Sequence, residues 1–388
     1  MRHYGWLTDA ERRTLFHREP VEFDLDSEVA TLGTALGATL YMPATRPRLA
    51  ADIRKQAGRG VVSIVLCLED SISDAEVPGA EENIVRNLAR LHREAPAGEV
   101  PMIFVRVRHP DQITDLTLRL GQATAFLAGF VLPKFTAGTG SAFLDALTAA
   151  EVVSDRRLLA MPVLESPEFL HLETRARSLA ATARLLDKHR ERIPAVRLGV
   201  TDFCSAYGLR RTPEMTAYDV KIVASVISDV VNVFGRSDGT GYTITGPVWE
   251  YFRPQERLFR PQLRTSPFSG RGEEDLRTHL IERDMDGLLR EIGLDRANGL
   301  LGKTCIHPSH VPVVHALAVV THEEYSDARD ILAAGVEGGG VLRSAYTNKM
   351  NEVKPHRTWA ARTLRRAEVF GVAREDVDVV ALLAAGLQ

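Results

Sequence analysis

Hydrophobic residues fall into eight short, unbroken runs along this chain, separated by longer charged stretches. The runs are 38–43 (ATLYMP), 61–68 (VVSIVLCL), 101–107 (PMIFVRV), 130–133 (FVLP), 158–164 (LLAMPVL), 195–200 (AVRLGV), 242–245 (YTIT) and 302–306 (GKTCI). Continuous rather than alternating apolarity predicts strands buried on both faces, as in a parallel sheet. The segments 48–59, 80–93, 140–152 and 166–188 between them supply crossover helices. Eight such units in series predict an α/β fold, the closed (β/α)₈ TIM barrel. A doubly wound open sheet is the competing arrangement. Its dinucleotide-binding form needs a G-x-G-x-x-G after the first strand, and none is present.

Three stretches depart from this rhythm. Residues 1–34 are polar and read as an N-terminal extension with some helix. The barrel is expected over 35–312, interrupted by an insertion at 249–301. That insertion holds a Pro/Arg/Ser/Gly-rich part (253–271) and a helix-like part (273–292), and a loop of such length is usually functional or mobile. Residues 313–388 read as a C-terminal helical segment, broken by a glycine run at 335–340 (GVEGGG) that would act as a hinge.

Composition narrows the class of function. With 45% hydrophobic and 26% charged residues, the 388-residue chain is ordinary globular protein. Its 48 basic and 51 acidic residues nearly balance, so nothing calls for nucleic acid or an anionic membrane. The three cysteines, Cys67, Cys204 and Cys305, are far apart, which argues against a disulfide framework or a zinc site. No stretch of about 18 apolar residues exists to cross a membrane, and the start lacks a signal-like apolar core. A cytoplasmic protein acting on a small molecule is expected.

Reactive groups in a barrel sit where the strands end and the βα-loops converge. The first run is followed by Thr45, Arg46 and Arg48, and the second ends in Glu69, Asp70 and Ser71. The third carries Arg106 and Arg108, and the fourth ends in Lys134. The fifth ends in Glu165, and the sixth is followed by Thr201 and Asp202. Crowded carboxylates raise one another's pKa, a cost that a divalent cation removes. Two carboxylates, with water and substrate oxygens in the other positions, suit Mg²⁺ (or Mn²⁺). A metal chelated by a 2-oxo acid polarises the carbonyl and stabilises an enolate. Arg106 would clamp the substrate carboxylate with a fork that lysine cannot copy.

Seven stretches, in order, carry a family resemblance. They are YMPATRPRLAADIRKQA (41–57), VLCLEDSI (65–72), FVRVR (104–108), GFVLPKF (129–135), PVLESP (162–167), RLGVTDFCSAYG (197–208) and GKTCIHPSHV (302–311). The chain resembles the HpcH/HpaI aldolase and citrate lyase β-subunit family. The resemblance implies a Mg²⁺-dependent carbon–carbon lyase or aldolase acting on 2-oxo acids or acyl thioesters of coenzyme A. It implies Glu165 and Asp202 as metal ligands, Arg106 as the strand-three arginine, and Glu69 and Asp70 as the acidic pair after strand two. It also implies a homo-oligomer. The chain departs from the family pattern at Cys67, where Asp is usual, and at Arg108, where Asn is usual. A third departure is Thr347-Asn348-Lys349-Met350, where the branch using coenzyme A has Asp-Gly-Lys-Met.

The expected function is therefore a Mg²⁺-dependent lyase or aldolase working through the enolate of a 2-oxo acid. Arg106, Glu69 and Asp70 are the expected catalytic residues, Arg46, Arg106 and Lys134 the substrate-binding ones, and Glu165 and Asp202 the metal pair. Water on the metal is the remaining acid/base candidate. One alternative is a biosynthetic aldolase using a phosphorylated or sugar-derived acid instead of a thioester. Another is a metabolite-binding or scaffold protein on a degenerate barrel. Plainer roles stand beside these. Asp202 can cap a helix, Lys134 can be a partner of Glu165 or Glu69, Arg46 can be a surface residue, and His307 reads as a packed, hydrogen-bonded histidine.

Overall fold

Eight parallel strands form, one from each apolar run: β1 (Ala38–Pro43), β2 (Ser63–Cys67), β3 (Met102–Arg106), β4 (Leu127–Leu132), β5 (Leu159–Leu164), β6 (Ala195–Leu198), β7 (Thr243–Ile244) and β8 (Lys303–Cys305). They hydrogen-bond in chain order, and β8 returns to β1, pairing Ala38 with Lys303 and Leu40 with Cys305. A bridge between Gly246 and Lys303 joins β7 to β8 and closes the ring. The computed structural model describes residues 1–252, 285–334 and 340–387. The fold is the expected (β/α)₈ barrel.

Alternation along each strand sorts the core into two layers. Val65, Phe104, Val131, Met161 and Val163 point into the barrel. Ile64, Leu66, Ile103, Val105, Phe130 and Leu132 point outward, under the helices. Those helices include Leu49–Ala57, Val77–Glu94, Ala137–Ser154, Leu172–Asp187 and Lys221–Phe234. Every expected crossover helix forms, with ends shifted by a few residues.

β4 begins three residues before the apolar run does, because the run is interrupted by Gly129. A Cβ at Gly129 would stand 1.9 Å from the Leu159 carbonyl oxygen, so the close approach of β5 demands glycine there. β6 ends earlier than its run. The chain turns at Gly199 into a short helix, Val200–Ser205, which places Asp202 in its first turn.

The N-terminal residues and the tail meet beneath the barrel, at the N-terminal ends of the strands. Helix Val29–Ala35, its C-cap Leu36 and the end of helix Val353–Phe370 plug that opening with Leu32, Leu36, Val369 and Phe370. His3 hydrogen-bonds the Ala35 carbonyl at 3.0 Å, and Phe16–Arg18 pairs antiparallel with Val372–Ala373. The tail carries helices and also forms a hairpin, Val341–Arg343 with Met350–Glu352. Thr347 takes a left-handed conformation in its turn. The expected hinge at 335–340 and the insert at 253–271 lie almost wholly or wholly outside the described residues. Of the helix-like part, Met285–Ala297 is a helix. Among the described residues, no helix is long and apolar enough to cross a membrane.

Candidate active site

The top of the barrel gathers charge from five successive strand ends. Alternation places Arg106 at the inner face of β3, in register with Cys67 of β2. Its Nη2 lies 2.5 Å from Glu69 Oε2, 2.9 Å from Glu165 Oε1 and 3.3 Å from Asp70 Oδ2. Among the described residues, its ion pairs all run through this one nitrogen, and Nε is buried without a partner. Lys134, after β4, reaches Glu69 Oε1 at 2.6 Å. Its backbone takes a positive φ of 47°, a conformation that costs most residues energy. In that conformation its N–H donates to Glu165 Oε1 at 2.9 Å. Lys134 thus serves both carboxylates, one through its side chain and one through its backbone.

Glu165 and Asp202 meet across Gly199. Glu165 is buried and Asp202 half-buried. A Cβ at Gly199 would stand 2.5 Å from Glu165 Oε2 and 3.3 Å from Asp202 Oδ2, so both oxygens face the same small gap. Glu165 Oε1 takes the bonds from Arg106 and Lys134. Oε2 and the Asp202 carboxylate have no side-chain partner among the described residues. Burial, with the nearby Asp202 charge, pushes Glu165 up to about 7, against the pull of Arg106. Burial raises Asp202 as well. Two carboxylate oxygens that face one gap, poorly paired and penalised for their charge, fit a divalent cation. No third His, Cys, Asp or Glu completes a cluster of three metal-holding side chains among the described residues. That donor set suits an ion that keeps several waters.

Glu69 and Asp70 are driven apart. Burial would raise Glu69, but the Asp70 hydrogen bond and the charges of Arg106 and Lys134 hold its carboxyl below the usual range. Burial and the Glu69 charge push Asp70 up to about 6. Neighbouring carboxylates split in this way can serve separate roles, one as a fixed charge and one as a proton carrier.

Arg108 sits apart from this cluster and works on the loop that bears it. Its Nε donates to the Leu68 carbonyl at 2.6 Å. Its Nη2 donates to the carbonyls of Glu69 and Ile72 at 3.1 and 2.9 Å, and Nη1 pairs with Asp74. Arg46, exposed after β1, is paired with Asp52 at 2.6 Å and not with the carboxylates. Arg86 turns to Asn83 on its own helix. His307 is half-buried, stacks on Phe252 and shares a 2.7 Å hydrogen bond with Ser309. Cys67 is buried at the inner face beside Arg106.

Two inward-facing residues escaped the sequence reading. Tyr41 on β1 lies partly exposed on the inner face. Arg197 on β6 is 1% exposed in the barrel interior. Arg197 had a signal: a charge in the middle of an apolar run, AVRLGV, must be paired or functional. Tyr41 had none, since an aromatic residue in a strand reads as core.

The comparisons agree with this architecture. Residues 30–372 match the model of a family described as C–C bond lyase of the TIM-barrel fold. No curated protein matches the sequence. Among solved structures, a citrate lyase from Burkholderia xenovorans is similar at 16% identity with a TM-score of 0.61, over 90% of this chain and 96% of that one. The CitE protein of Mycobacterium tuberculosis, in complex with magnesium, acetoacetate and coenzyme A, is similar at 20% identity with a TM-score of 0.52. That match covers 86% of this chain and 99% of the other.

Proposed function

The chain belongs to the C–C bond lyase family of the TIM-barrel fold and is a carbon–carbon lyase, and on that premise we propose that it cleaves or forms a bond next to the enolate of a 2-oxo acid with a divalent metal held by Glu165 and Asp202. The observation that carries this reading is the pair of carboxylate oxygens, without a side-chain partner among the described residues, that face one gap at Gly199. Mg²⁺, or Mn²⁺, bound there would polarise the 2-oxo carbonyl and lower the energy of the enolate.

The chain's own groups supply the rest. Arg106 presents its guanidinium to the substrate carboxylate and to enolate charge. Glu69 fixes Arg106 and Lys134 in place, and Lys134 adds positive charge at the substrate side. Asp70, pushed up to about 6 at the exposed rim, is poised to take and return the hydroxyl proton of an aldol substrate. Arg46, on the loop after β1, would meet an anionic substituent at the substrate's far end.

A free acid is a better fit than a coenzyme A thioester. Thr347 stands where the thioester-using branch carries an aspartate, and the neighbouring Lys349 is tied to Glu323 and Asp327 at 2.5 and 2.8 Å. Calorimetry with Mg²⁺ and pyruvate or oxaloacetate tests the reading. Wild type should bind the acid only with metal, and Glu165→Gln and Asp202→Asn should each lose that binding. Variants that bind metal and acid as wild type does would remove the assignment.

A further inference from the structure

An enolate released by carbon–carbon cleavage must gain a proton at carbon, while the substrate hydroxyl must lose one. These transfers occur at different atoms, and one rim carboxylate is not placed for both by anything in the site. Glu69 is held ionised by Arg106 and Lys134. Glu165 and Asp202 are the proposed metal pair. Asp70 is exposed at the rim. Tyr41 remains, and it stands on the inner wall.

Strand alternation turns Tyr41 inward. Its neighbours Leu40 and Met42 join the outer layer, while Tyr41 packs against the inner cluster. Its hydroxyl has no hydrogen bond among the described residues, and it is not one of the buried orphan atoms, so solvent or substrate can reach it. Arg197 of β6, Arg106 of β3, Cys67 of β2 and Glu165 at the end of β5 act on it electrostatically. Burial holds the phenol protonated at rest, and the two arginines pull the other way.

Arg197 is the second observation. Its guanidinium lies 5.4 Å from the centre of the Tyr41 ring. It donates to Thr304 Oγ1 at 2.5 Å and to Thr39 Oγ1 at 3.4 Å, and contacts Met161 Sδ at 3.7 Å. No carboxylate pairs with it among the described residues. A buried cation without a counter-charge is costly. A phenolate at Tyr41 would supply that counter-charge.

We propose that Tyr41 is the acid/base group that exchanges a proton with the carbon of the substrate enolate, and that Arg197 is a positioning residue that orients the ring and stabilises the phenolate. This rests on the enolate reading above. In the cleavage direction the Tyr41 O–H bond breaks and a C–H bond forms at carbon 3 from the enolate electron pair. The negative charge passes to the phenolate oxygen. The hydroxyl proton collected by Asp70 returns to Tyr41 through solvent and resets the pair. Condensation runs these steps in reverse.

Deuterium uptake at carbon 3 of pyruvate, followed by proton NMR with Mg²⁺ in heavy water, isolates the step. Calorimetry on the same samples reports pyruvate binding. Tyr41→Phe keeps the ring over Arg197, so it should bind pyruvate within about threefold of wild type and lose exchange by about 100-fold or more. Arg197→Met should also slow exchange, Arg197→Lys should recover part of it, and the Tyr41→Phe/Arg197→Met double variant should exchange no more slowly than Tyr41→Phe. A residue that merely supported the fold would slow the double variant further. Exchange by Tyr41→Phe at the wild-type rate would overturn the proposal while leaving the metal site standing. Failure of wild type to bind pyruvate with Mg²⁺ would overturn the enolate reading and this proposal with it.

Discussion

Gly199 and Glu165 are in closer apposition than any side chain at position 199 would permit. A Cβ there would stand 2.3 Å from the Glu165 Cβ and 2.5 Å from Oε2. The φ of Gly199 is −92°, so its backbone does not demand glycine. The demand comes from the space the carboxylate occupies. Gly199→Ala should therefore displace Glu165 and cost about 1–3 kcal/mol of stability through overpacking. Calorimetric Mg²⁺ affinity should fall at least about tenfold. Unchanged affinity in a folded variant would show that the Glu165 position is not needed for metal.

The charge state of the same carboxylate sets a pH dependence. Burial lifts Glu165 from 4.5 to about 7. Between these values the native chain holds a proton that the unfolded chain has lost, so this group's contribution to stability declines as pH rises through the window. A divalent ion competes with that proton, so its affinity should climb up to about pH 7 and level off above. Thermal unfolding with and without Mg²⁺ measures both effects. The rise in Tm on adding metal should be larger at about pH 8 than at about pH 5.5. An equal rise at both would contradict the ligand role.

Arg108 binds three carbonyls of the loop that carries Glu69 and Asp70. Lysine has one nitrogen and cannot span them. Arg108→Lys should lower kcat/KM by about 10–100-fold, because misplacing catalytic groups by a fraction of an ångström is expensive. Mg²⁺ binding should stay within about threefold of wild type, since Glu165 and Asp202 lie on other strands. Loss of both together would place Arg108 at the metal.

Lys303 at β8 anchors a wholly interior ion network. Its Nζ lies 2.7 Å from both Glu291 and Asp295, and Glu291 also holds Arg211 at 2.9 Å. Lys303→Met would leave a buried acid undercompensated and should cost about 3–5 kcal/mol. Urea unfolding reads this as a lower midpoint. Lys303→Met/Asp295→Leu should recover part of the loss, and a double variant weaker than the single would argue against charge imbalance as the cause.

Local pattern alone determined the eight strands and the residues standing at their ends. Continuous apolar runs can satisfy both faces of a strand only in a buried parallel sheet. Glu165 and Arg106 were legible for the same reason, since each sits at or beside the end of such a run. What sequence could not determine was which charges would meet. Arg106 and Arg108 are two residues apart, yet one faces the carboxylates and the other grips loop carbonyls, because the strand ends between them. Arg46 stands after the first run, and its pairing with Asp52, six residues on, was not marked by any feature of that run. Tyr41 looked like core and came to lie over Arg197, which is 156 positions away in sequence. Pairings of that kind depend on the ring closing from β8 to β1, which brings distant strands to a common interior. Period and strand ends are properties of a segment, whereas the partner of a buried charge belongs to the closed barrel.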